Sequence, residues 1–126
     1  MRIAVSIFSG TIAGRLIFKK VDIDTIKVEG ELFSKKLSGC FGCHIHKFGD
    51  PEIDMLGGHY DKNGEEHPYH TGDLPNVHFV KGKCYVSTEL KNVTLEQLYG
   101  RSIVIHKNCD DMKSINNGHS GKIRDF

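Results

Sequence analysis

The chain has 126 residues, 38% of them hydrophobic and 26% charged, which excludes wholesale disorder and predicts a single domain over residues 1–126 with a core of its own. Seventeen Lys and Arg face sixteen Asp and Glu, a formal charge of +1. That balance excludes a nucleic-acid binder working by bulk charge, but it leaves room for a local positive funnel.

The apolar run from Ile3 to Phe8 is too short to cross a bilayer or to form an export signal, and it reads as a first strand. No membrane partner is expected. Without an export signal, Cys40, Cys43, Cys84 and Cys109 are expected to be free thiols in a reducing, cytoplasmic setting. In that setting the Asn92-Val93-Thr94 triplet carries no glycan. Ile3, Val5 and Ile7 share one face of the first strand. Ile12, Gly14, Leu16 and Phe18 continue the alternation, and Ile26, Val28, Gly30 and Leu32 alternate with Lys27, Glu29 and Glu31. This period of two describes half-buried antiparallel strands, with Ser9-Gly10 as the first turn. A fourth strand is expected from about Phe41 to Lys47.

From Phe48 to Pro75 the periodicity stops, in a stretch with five glycines and all three prolines. A long irregular loop within a compact domain is usually functional or disordered. Strand patterns return near Val77–Val80, Cys84–Glu89 and Arg101–His106, with a hairpin turn at Lys81-Gly82-Lys83 and a helical turn at Thr94–Tyr99. The tail from Lys107 is polar. About seven short strands with turns between them predict an all-β sandwich or barrel.

Eight histidines are an unusual number for this length. His44 and His46 leave the same face of the predicted fourth strand, about 7 Å apart at their roots. The plain reading is two polar groups on a solvated face; the sharper one is a pair converging on a metal. His59, His67, His70 and Asp73 fall within fifteen positions. Three imidazoles and a carboxylate suit tetrahedral zinc, whose binding would also order the long loop. His106 ends the last predicted strand, and Asp110 and Asp111 follow it. Asp110 is placed to accept the free N–H of a metal-bound imidazole; alternatively the Asp-Asp pair is a solvated turn. Cys40-Phe41-Gly42-Cys43-His44 also matches a c-type haem attachment signature, with Met55 or Met112 opposite His44. That reading needs an exported chain and leaves the other histidines unused.

Gly42-Cys43-His44-Ile45-His46-Lys47-Phe48-Gly49-Asp50 resembles the copper-ligand strand of copper/zinc superoxide dismutases. Gly57-Gly58-His59-Tyr60-Asp61 is similar to that family's bridging-histidine segment, and His70-Thr71-Gly72-Asp73-Leu74-Pro75-Asn76 to the end of its zinc loop. Gly100-Arg101-Ser102-Ile103-Val104-Ile105-His106 with Asp110-Asp111 resembles its last copper-ligand strand. The resemblance covers residues 2–124 and implies a Greek-key, immunoglobulin-like β-sandwich or flattened barrel. It implies copper held by His44, His46, His59 and His106, and zinc held by His59, His67, His70 and Asp73. His59 would bridge the two metals, and Asp110 would link a copper ligand to a zinc ligand. Arg124 would stand beside copper and attract superoxide. The implied reaction disproportionates superoxide to oxygen and hydrogen peroxide, with His59 taking a proton when its bond to copper opens. A copper donor protein is an implied partner.

The chain departs from the family pattern in three places. The family continues past its arginine with a final strand, whereas here Phe126 lies two residues beyond Arg124. The family disulfide that ties the long loop to that strand has no cysteine between Phe48 and Gly58. The tail matches the arginine motif only with a one-residue slip, so that Lys122 competes with Arg124 as the cation facing copper. A bare sheet edge favours pairing with another chain, and both a monomer and a homodimer through another face stay open. These departures also keep a non-catalytic metal-binding domain, copper-buffering or interacting, as the alternative. His78 and His119 are left without a role.

Overall fold

The computed structural model describes residues 2–47, 59–61, 72–112 and 123–125. His67, His70, His119, Lys122 and Met55 lie outside these residues. Among the described residues, eight strands run in the order β1 (Ile3–Ser9), β2 (Ala13–Asp22), β3 (Thr25–Phe33), β4 (Gly39–His46), β5 (Asp73–Phe79), β6 (Lys83–Lys91), β7 (Ser102–His106) and β8 (Ile123–Asp125). A one-turn helix, α1 (Leu95–Leu98), lies between β6 and β7. The strands form two four-stranded sheets, β1-β2-β3-β6 and β5-β4-β7-β8. β6 lies beside β3, and β4 between β5 and β7, so the connectivity is of the expected Greek-key kind. The chain divides into two compact units, Met1–Gly39 with His78–Tyr99, and Cys40–Val77 with Gly100–Phe126.

In the first unit the alternation read from β2 and β3 holds. Ile12, Leu16, Phe18, Ile26, Val28 and Leu32 are all buried, and Cys84, Val86 and Leu90 of β6 join them. Leu16 has no exposed surface. Truncating it to alanine is expected to cost about 2–5 kcal/mol, lost transfer energy plus a cavity, read as a lower melting temperature. A loss under about 1 kcal/mol would contradict its full enclosure.

In β1 the shared face of Ile3, Val5 and Ile7 is the outward one. Ile3, Val5 and Ile7 are exposed, at 48%, 46% and 71%, whereas Phe8 is buried. The cause lies across the strand pair. Ala4 faces Phe18, Ser6 faces Leu16 and Phe8 faces Gly14, and directly opposed residues share a sheet face. Burial of Leu16 and Phe18 therefore turns Ala4, Ser6 and Phe8 inward, and Ile3, Val5 and Ile7 outward. The helical turn stands where it was expected. Thr94 Oγ1 accepts from the Gln97 amide at 3.3 Å, and Gln97 Oε1 accepts from the Thr94 amide at 2.9 Å, a reciprocal cap.

Three further expectations change. β5 starts at Asp73, inside the stretch read as loop. Pro75 hid the strand, but β5 is a sheet edge, where a missing amide donor is tolerated. β7 is not the end strand of its sheet either. β8 pairs with β7 through Ile105–Asp125 and His106–Ile123, and the register shift between these pairs makes Arg124 the extra, bulged residue.

The cysteines are not all free thiols. Cys40 and Cys109 are disulfide-bonded, with Cα atoms 5.0 Å apart, while Cys43 and Cys84 are buried thiols. Cys40 opens β4 and Cys109 follows β7, so the pairing of these two strands brings the cysteines together. A link across 69 positions constrains the unfolded chain by about 4 kcal/mol in the loop-entropy account. The haem-attachment reading falls with the same observation, because the Cys40 sulfur is already bonded.

Candidate metal centre

The second unit builds the site around β4. Cys43, His44, Ile45 and His46 pair with Ile105, Val104, Ile103 and Ser102 of β7, and every residue from Phe41 to His46 is buried. Period-two geometry gives His44 and His46 a common face. β7 delivers His106 at its end, also buried.

Short hydrogen bonds attach the neighbouring segments to β4. The Tyr60 amide donates to the Ile45 carbonyl at 2.6 Å, the Gly72 amide to the Tyr60 carbonyl at 2.8 Å, and the Ile45 amide to the Gly72 carbonyl at 2.8 Å. These bonds set His59 beside His46 in an antiparallel bridge and place Asp73 next to Gly72. The approach requires glycine, since a Cβ on residue 72 would stand 2.7 Å from the Ile45 oxygen. Arg101 fixes the same segment from another side. Its guanidinium lies 3.7 Å from the centre of the Tyr60 ring and donates to the Lys47 carbonyl at 2.8 Å.

The result is a cluster of His44, His46, His59 and His106 with ligand atoms all within 4.8 Å of one another. His46 Nε2 and His106 Nε2 are 3.4 Å apart, and the His44 and His59 rings stack with centroids 4.1 Å apart. His44 Nε2 lies 2.7 Å from Asp110 Oδ2, with both side chains fully buried. With Nε2 so engaged, the buried Nδ1 is the nitrogen that His44 has to offer a metal. Burial first, and the charge of His59 second, lower the pKa of the His44 imidazole to about 3, against the raising effect of Asp110. The ring is therefore neutral at neutral pH, with a lone pair available.

His59 Nδ1 lies 2.8 Å from Asp73 Oδ1, so a ring that belongs to the histidine cluster also faces a carboxylate. His67 and His70, expected beside Asp73, lie outside the described residues. Arg124 is placed by its backbone in β8, next to His106 in the ladder. His78 is exposed on β5.

Asp110 is itself held firmly. Asn76 Nδ2 donates to the Asp110 carbonyl at 2.9 Å, and the Asp110 amide donates to Asn76 Oδ1 at 2.8 Å. The Met112 amide donates to Asp110 Oδ1 at 2.7 Å. Neither Asn76 nor Arg101 stood out in the sequence as a supporting residue. A side-chain amide that clamps a distant backbone leaves no local pattern.

Four imidazoles converging in a buried pocket suit copper or zinc, and the orienting carboxylate on His44 is what metal-bound imidazoles generally have. The donor set therefore fits such an ion.

The profile of the copper/zinc superoxide dismutase family matches residues 12–124. The chain belongs to the copper/zinc superoxide dismutase family, and its all-β fold is of that family's β-sandwich class. It is 29% identical over 119 residues to the copper chaperone for superoxide dismutase of Rattus norvegicus, covering 87% of this chain and 43% of that one. The chain thus spans less than half the length of that relative. It is 30% identical over 122 residues to superoxide dismutase [Cu-Zn] 5 of Dictyostelium discoideum, covering 86% of this chain and 80% of the other. Among solved structures it is similar to the clock protein EA4, with a TM-score of 0.86 and 26% identity, over 98% of this chain and 90% of that one.

Proposed function

We propose that the chain is a superoxide dismutase, converting two superoxide ions and two protons to oxygen and hydrogen peroxide. The observation that carries this reading is the cluster of four histidines, two of which, His44 and His59, also face carboxylates. In this reading His44, His46, His59 and His106 hold copper, and His59, His67, His70 and Asp73 hold zinc. Copper held there would supply the one-electron couple that disproportionation needs. The chain's own residues do the rest. Asp110 fixes the His44 ring through Nε2, and in the metal-free chain Asp73 holds the His59 ring through Nδ1, the nitrogen that would turn to zinc. His59 Nε2 carries a proton for the peroxide product. Arg124, with Lys122 close by in sequence, supplies the positive field that draws the anion in.

Charge steering raises on-rates by about 10–10³ and is screened by salt. Arg124→Ala is expected to slow turnover by about tenfold at low ionic strength and to flatten its salt dependence. Unchanged kinetics would remove Arg124 from this role and leave Lys122 to be tested in the same way.

A second reading, a metal-binding domain without turnover, is favoured by the similarity to the rat copper chaperone. Metal content and superoxide removal measured on one sample decide between the two. The enzyme reading expects about one copper and one zinc per chain, with superoxide removal above that of the same copper free in solution. Full metal content with only free-ion activity would leave the binding domain as the function.

A further inference from the structure

We propose that the Cys40–Cys109 disulfide is a redox latch on the metal centre, acting through Asp110. The proposal rests on His44 being a metal ligand. Cys109 immediately precedes Asp110, the residue whose carboxylate lies 2.7 Å from His44 Nε2. Cys40 lies four residues before His44 on β4, on the same strand face by the period of two. The disulfide therefore closes a ring, covalent except for the Asp110–His44 hydrogen bond, that starts at His44, runs back along β4 to Cys40, crosses to Cys109 and returns to His44 through Asp110.

Lys107, Asn108 and Cys109 form an exposed strap, and Asp110 is its one buried member. Besides the disulfide, the strap is tied by the Gly42 amide, which donates to the Asn108 carbonyl at 2.8 Å, and by the Asn76 clamp on Asp110. An exposed strap tied mainly by hydrogen bonds opens at lower free energy than a paired strand. With the disulfide closed, opening is blocked and the carboxylate stays on His44. With the disulfide open, Asp110 can leave, and His44 loses the partner that orients it. Loss of such a partner costs 10–100-fold in metal affinity.

The chemistry is ordinary thiol–disulfide exchange with a dithiol reductant. Its thiolate attacks the sulfur of Cys109, an exposed residue, the S–S bond breaks and Cys40 leaves as a thiolate. The reductant's second thiol then displaces Cys109 from the mixed disulfide. Two electrons and two protons pass to the cysteines, and the reductant ends as its own disulfide.

The test is a double-mutant cycle read as copper(II) affinity by chelator competition, with far-ultraviolet circular dichroism confirming the fold of each protein. The proteins are the oxidised parent, Cys40→Ser with Cys109→Ser, Asp110→Asn, and all three substitutions together. Serines mimic the open state without adding thiolate ligands. The serine pair is expected to lose about 10–100-fold in affinity, Asp110→Asn a similar amount, and the triple variant no more than either. Parent-like affinity in the serine pair, or losses that multiply in the triple variant, would overturn the latch. Should the serine pair not fold, the parent is reduced in place, and loss of its β-sheet signal would show a global staple and overturn the latch as well. A parent that binds no copper would instead overturn the metal-ligand reading, and this inference with it.

Discussion

His46→Ala is expected to empty the chain of copper and bring superoxide removal down to the level of free copper, while zinc content stays near that of the parent. His46 is buried on the central strand β4, with Nε2 3.4 Å from that of His106. It belongs to the four-histidine set but not to the His59–Asp73 pair. Residues that merely orient a ligand are worth 10–100-fold in metal affinity, so removing a ligand outright should cost at least about 100-fold. Metal analysis after dialysis against a weak chelator reads the result. Zinc falling in parallel with copper would show that the two sites are not separable at His46.

His59→Ala should behave differently, because that side chain faces both the cluster and Asp73. Both metals should be lost, with copper and zinc affinities each falling by about 100-fold or more. The metal-free protein should also be less stable, because the fully buried Asp73 carboxylate loses the His59 Nδ1 partner at 2.8 Å. A hydrogen bond to a charged group contributes about 1.5–3 kcal/mol. The melting temperature without metal should therefore drop more for His59→Ala than for His46→Ala. Equal melting temperatures, or loss of copper alone, would contradict a shared role for His59.

The sequence made part of this site readable because its signals are local or carried by motif order. The His44 and His46 spacing puts both rings on one strand face, and β4 does present them together. The alternation of β2 and β3 named their buried residues correctly, since both strands lie inside a sheet. What stayed hidden depends on pairing between distant segments. β1 shows apolar residues at Ile3, Val5 and Ile7, but the inward-facing side was set by Leu16 and Phe18 across the pair. The Cys40–Cys109 bond follows from the β4–β7 pairing, a separation of 69 positions that no spacing rule covers. The Asn76 clamp on Asp110 spans 34 positions and involves an amide that appears in no ligand motif. Pro75 concealed the start of β5, because its meaning depends on whether the strand is an edge.

Turnover of superoxide at the histidine cluster, as against mere holding of copper, is tested most directly by following superoxide decay over many equivalents per bound copper, with the copper- and zinc-loaded chain at fixed concentration. Catalysis predicts that decay continues at a constant rate constant well beyond the first equivalent and stays proportional to the copper bound. A burst that stops after about one superoxide per copper would mean that the site changes oxidation state once and does not cycle, contradicting the enzyme reading.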